Sequence, residues 1–269
     1  MVEAQTEQYI MLRNALLEMR DDSSAVMSLL SFQPDNGAWW MSVANQELRA
    51  ILIEARLDDA DRLGTLISTV LAIQEDGADD ELAENQIHRE AMRWLVEGIG
   101  AILEREPELG IQQLENLTGA VYSQESLQWV AWFWISKAAA DTGNLSRAAE
   151  AAGEALTMSD KLDDQARSIS LRCLGELGLL TGDLSQARDY LDQAGELFIR
   201  LGDDLGVATT QLARARVEDA AGRTHEAMDA ALRAREAAPD WDEPVLFLAR
   251  QALITGNPGR AAAVLYPFL

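Results

Sequence analysis

The sequence predicts an all-α protein, a right-handed α-solenoid of antiparallel helical hairpins. Three observations carry that reading. A short motif recurs: TGNLSRA at Thr142–Ala148, TGDLSQA at Thr181–Ala187, AGRTHEA at Ala221–Ala227 and TGNPGRA at Thr255–Ala261. Its glycines, at 143, 182, 222 and 256, are separated by 39, 40 and 34 residues, the interval at which helical hairpins repeat. Each glycine also closes one amphipathic segment, with a polar turn and an early alanine opening the next.

Taken in order, residues 1–33 begin with Tyr9, Leu12, Leu16 and Met19 at helical spacing. Asp21–Ser24 breaks that pattern and offers capping groups for a short helix through Leu30. Gln33–Gly37 is a turn. Trp39, Trp40 and Met41 open a helix that continues through Leu48, Leu52 and Ala55. Trp39 and Trp40 cannot share one buried stripe, so one of them caps an end or meets a partner. After Asp58-Asp59 a further helix runs over Leu63, Leu66, Ile67, Val70 and Leu71, and the acidic connector Gln74–Glu81 closes this part. Residues 1–80 are thus an N-terminal helical region of degenerate repeats, and 81–269 an array of about five hairpins. Charge follows the same division: residues 1–90 hold 18 acids and 6 bases, against 27 and 16 in the remainder.

From residue 91 each hairpin places a small residue seven positions before its turn. The pairs are Gly98 with Arg105, Ser136 with Gly143, Gly175 with Gly182, Ala215 with Gly222 and Ala249 with Gly256. A small side chain at that height lets paired helices approach closely. Bulky residues precede it by four positions, as Trp94, Trp132 and Leu171 do.

This pattern resembles the tetratricopeptide repeat family. The match runs through Trp132, Ser136, Gly143, Ala148 and Ala155, then Leu171, Gly175, Gly182, Ala187 and Ala194. It continues in Ala215, Gly222, Ala227, Ala234 and the terminal Pro239. Two departures stand out: intervals of 39 and 40 residues where the family has 34, and Arg214 where it usually places leucine. The longer form, with Phe198–Ala215 between hairpins, is similar to repeats of bacterial maltose-regulator-type activators and of kinesin-light-chain-like proteins. The resemblance implies a non-enzymatic scaffold that binds a partner peptide or domain in its groove. The alternative it implies is a regulatory sensor module for a small molecule or short peptide. No GxxxxGK(S/T) loop or basic recognition helix is present.

Composition narrows the partner. With 45 acids, 22 bases and a net charge of −23, the chain repels phosphate backbones and anionic membranes, so neither nucleic acid nor membrane is expected. The longest apolar run, Trp129–Ile135, is far shorter than the ~20 residues of a membrane span, and the acidic N-terminus lacks the features of a secretion signal. A soluble, cytoplasmic protein is expected. The lone Cys173 excludes internal disulfides and reads as a small hydrophobe. His88 and His225 fall in different hairpins, so neither a triad nor a metal site is expected, and no cofactor. Paired acids at Asp163-Asp164 and Asp203-Asp204 read as helix caps.

The resemblance puts the first helix of each hairpin on the inner face, which in this register carries Val130, Phe133, Lys137, Arg172, Arg216 and Arg250. Lys137 and the three arginines form a basic ridge suited to an acidic peptide, or they pair with Glu176, Asp141 and Asp219 on neighbouring helices. Trp129 and Trp132 read as core, while Phe133 and Trp134 are candidate groove anchors. The apolar end at Tyr266, Phe268 and Leu269 suggests self-association, or cover by a partner or by further chain.

Overall fold

Turn chemistry decides where the helices stop. The computed structural model describes residue 91 and residues 94–95, 97–102, 105–120 and 125–266. At all five sequence-predicted turn positions the backbone is left-handed: φ is +70° at Arg105, +80° at Gly143, +82° at Gly182, +73° at Gly222 and +74° at Gly256. That conformation ends a helix at no steric cost only for glycine. The motif around it closes both neighbours. Thr142 Oγ1 donates back to the carbonyls of Ala138 and Ala139, and Asn144 N–H reaches Ala139 O at 2.8 Å. The Asn144 side chain then accepts from Arg147 N–H, capping the next helix. Asp183 and Asn257 cap in the same way, as do Asp163 and Asp203 between hairpins, so the paired acids are the caps the sequence predicts.

The chain divides into two compact units, Met1–Val130 and Ala131–Leu269. The boundary expected near residue 80, like the helices expected over residues 1–80, lies outside the described residues. In the first unit, a helical stretch at 97–102 pairs with α1 (Pro107–Thr118). A Cβ on Gly98 would stand 2.7 Å from Leu114 Cγ, and one on Gly110 would stand 2.6 Å from Gly98 O. The two glycines permit an approach that any side chain would prevent.

The second unit contains the rest of α2 (Glu125–Asp141), followed by α3 (Leu145–Ser159), α4 (Asp164–Thr181) and α5 (Leu184–Leu201). Then come α6 (Asp204–Ala220), α7 (Thr224–Ala237), α8 (Asp242–Ile254) and α9 (Pro258–Leu265). Successive pairs α4/α5, α6/α7 and α8/α9 pack as antiparallel hairpins, and α5 against α6 and α7 against α8 join one hairpin to the next. The first helices α4 and α6 also touch directly. The fold is therefore all-α, a solenoid-type stack of helical hairpins, with no strand among the described residues.

Small residues build its core. Ala215, Ala227, Ala230, Ala231 and Ala234 pack with Leu212, Phe247 and Leu248, while Ala187, Leu191, Ala213 and Val217 form the layer before. At the seven-before-the-turn position, Ser136 turns its hydroxyl into the interhelix contact, donating to Ala148 O at 2.9 Å. Gly175 lies so close to α5 that a Cβ would come within 2.5 Å of Leu191 Cγ.

Candidate partner-binding surface

The first helices α2, α4, α6 and α8 supply the candidate surface. Arg172 is buried and donates to Glu176 at 2.6 Å. Arg216 on α6 reaches across to Glu243 on α8 at 2.7 Å, and Arg250 on α8 reaches back to Asp219 on α6 at 3.4 Å. Arg250 also lies over the Phe247 ring, 5.3 Å from its centre. All three arginines are thus paired: Arg250 with Asp219 on the neighbouring first helix, Arg216 with Glu243, which the sequence reading did not name as a partner, and Arg172 with Glu176 of its own helix rather than of a neighbouring one.

Lys137 is half-buried, with its ammonium 5.8 Å from the centre of the Trp134 ring. Burial holds its pKa below the ordinary lysine value, partly offset by Glu176. Cys173 sits against Ser136, with 3.6 Å between Sγ and Oγ. Burial, reinforced by Glu176, pushes its thiol up, so it stays protonated and unreactive.

The aromatic candidates fall differently from the sequence reading. Val130, Phe133 and Trp134 are all buried. Phe133 and Trp134 meet edge to face at 6.4 Å. At 6% and 2% exposure they are packing residues on the buried side of α2, whose solvent side carries Trp132 instead. Trp129 is buried as expected, whereas Trp132 is half-exposed with Arg147 over its ring at 5.4 Å. Exposed on this face instead is Leu246, on α8 one helical turn from both Glu243 and Arg250. Tyr266 is 79% exposed beyond α9, and Leu253 and Ile254 of the same terminal hairpin are exposed too; Phe268 and Leu269 lie outside the described residues.

One constellation escaped the sequence reading. The Glu218 carboxylate, on α6 and only 3% exposed, is held by three arginines. Arg188 from α5 donates Nε at 2.9 Å and a terminal nitrogen at 3.2 Å, Arg214 donates Nε at 2.8 Å, and Arg223 from the α6–α7 turn donates Nε at 2.6 Å. Arg214 also pairs with Asp192 on α5. Burial alone would raise the carboxyl pKa of Glu218, but hydrogen bonds from Arg188 and Arg214 and their charges outweigh it and hold it below the usual carboxylate range. The signal was present: Arg214 departs from the repeat pattern the sequence resembles, and Glu218 follows it at i+4.

No family model and no curated protein matches the chain. Among solved structures, BtubC (BKLC) from P. vanneervenii is similar, with a TM-score of 0.50 and 16% identity over 84% of this chain and 86% of that one. The Cut9–Hcn1 hetero-tetramer of the APC/C aligns at a TM-score of 0.36 and 15% identity, over 90% of this chain and 55% of that one. At such identities a likeness speaks to fold alone, and the BtubC match agrees with the hairpin stack described above: a tetratricopeptide-like helical repeat. Among the described residues no helix is long and apolar enough to cross a membrane.

Proposed function

We propose that the chain is a non-enzymatic protein-interaction scaffold that receives a partner peptide or domain on the face made by its first helices. The observation that carries this is the α6–α8 surface, where exposed Leu246 is framed by the paired charges Arg216–Glu243 and Arg250–Asp219. An exposed apolar side chain ringed by fixed charges fits a hot spot with a polar rim. Lys137 extends the proposed surface along α2, while the buried Arg172, Phe133 and Trp134 support it from beneath.

The test combines capture with site-specific crosslinking. A photo-crosslinking amino acid at position 246 is expected to label a protein that wild type retains and that the Arg216→Glu/Arg250→Glu variant loses. Those pairs are exposed, worth about 0–1 kcal/mol each, so the variant should still fold, which far-UV circular dichroism checks. Equal retention by both proteins, with no adduct at 246, would overturn the proposal.

A further inference from the structure

The cluster around Glu218 lies off the first-helix face, and the scaffold role makes no use of it. A carboxylate offers about four lone-pair sites, and Glu218 already accepts four N–H bonds, so it is saturated. A guanidinium carries five N–H donors in one plane. Arg188 spends its Nε and one terminal nitrogen on Glu218, Arg214 divides itself between Glu218 and Asp192, and Arg223 engages through Nε alone. Their other terminal donors meet no protein acceptor among the described residues. The side chains remain 24%, 27% and 40% exposed.

The local charge is also unbalanced. Three arginines face two carboxylates, one of them buried, in a chain whose net charge is −23. Each pair on the first-helix face is matched one to one, but here one positive charge is left over. Glu218 fixes every Nε, so the guanidinium planes are already oriented and little side-chain freedom remains to be lost on binding.

We propose that the solvent side of this arginine cluster binds a single carboxylate presented by an Asp or Glu side chain of a partner protein. A monoanion matches the one surplus charge, and the planar forks suit its two oxygens. A phosphate, near −2 at neutral pH, exceeds that surplus and meets the acidic remainder of the chain. The site spans α5, α6 and the turn before α7, so it does not depend on the first-helix surface being correct.

The experiment uses the full chain, 15N-labelled, with Arg Nε–H resonances assigned by substitution. Blocked peptides of alternating Gly with Glu, Gln or phosphoserine are titrated at constant ionic strength. The Glu peptide is expected to shift the Arg188, Arg214 and Arg223 signals saturably, and the Gln peptide to leave them unmoved. Arg223→Gln, which keeps Arg188 and Arg214 on Glu218, should weaken the Glu peptide about tenfold, as loss of one charge-assisted contact does. Arg188→Gln should do the same, and Arg233→Gln on exposed α7 should change nothing. Shifts spread evenly over all arginines, no shifts, or a stronger response to phosphoserine than to Glu would each overturn the assignment.

Discussion

Glu218→Gln tests whether the hairpins are joined by a charge as well as by alanine packing. The substitution keeps the shape of the side chain and removes its charge. In place of one oxygen it sets an amide NH2 against guanidinium donors, so donor meets donor at a position 3% exposed. Removing one partner of a buried ion pair costs about 3–5 kcal/mol. The arginines are 24–40% exposed and can recover water, which moves the expectation to the lower end, about 3 kcal/mol. Asp192→Asn, at a half-exposed acid holding only Arg214, should cost less than about 1 kcal/mol. Urea unfolding followed by circular dichroism gives both numbers, and amide exchange locates the loss, expected at α5 and α6. The pH dependence supplies an independent check. The folded pKa lies below that of an unfolded Glu, near 4.3, so this stabilisation is complete above that value and is lost as pH falls through the folded pKa. Wild type should therefore lose stability more steeply than Glu218→Gln below about pH 4.3. A cost under about 1 kcal/mol with parallel acid limbs would show the cluster to be no more than a surface pair.

Three further outcomes follow from the packing. Gly175→Ala drives a methyl against Leu191 on α5 and should cost about 1–3 kcal/mol in chemical unfolding, whereas the same change at Gly153, which has nothing within 4 Å, should be neutral or slightly stabilising. Arg105→Gly relieves the left-handed residue at the one of the five hairpin turns that is not glycine and should raise stability by about 1 kcal/mol, read from the unfolding midpoint; no gain would mean that the Arg105 conformation carries no strain. If the terminal hairpin mediates self-association, Leu253→Asp/Tyr266→Ser should shift sedimentation toward monomer, and an identical concentration dependence in both proteins would remove these residues from any interface.

The repeat was legible because its signals are local. A left-handed turn, a cap and a small residue each depend on a few neighbouring positions, so spacing alone located Gly143, Gly182, Gly222 and Gly256, and even placed Arg105 in register. Exposure was harder. On α2 the hydrophobic residues run almost continuously from Trp129 to Ile135, leaving no amphipathic phase to say that Phe133 and Trp134 are packed. The pairing of Arg216 with Glu243 joins residues 27 positions apart, and that of Arg188 with Glu218 spans 30. Such contacts depend on how hairpins stack, which periodicity within one hairpin does not encode. Arg214 was visible as a departure from the family pattern, but its reason became visible only with Asp192 and Glu218 beside it.

The distribution of paired charge bears on how a partner should bind. On the first-helix face every described arginine is matched by one acid: Arg172 by Glu176, Arg216 by Glu243 and Arg250 by Asp219. Paired in this way the three arginines add little net charge to the face, so a partner there gains mainly from apolar contact around Leu246 and from fixed polar geometry. In the Glu218 cluster three arginines face two carboxylates, and attraction between unlike charges weakens with added salt. A partner using both surfaces should therefore show a salt-dependent component that belongs to the cluster alone. Affinity measured at low and high sodium chloride should fall for wild type and change much less for Arg223→Gln. Arg250→Gln, which removes a matched pair member, should weaken binding while leaving the salt dependence in place. If Arg250→Gln abolishes the salt dependence and Arg223→Gln does not, the surplus charge lies on the first-helix face and this division of roles is wrong.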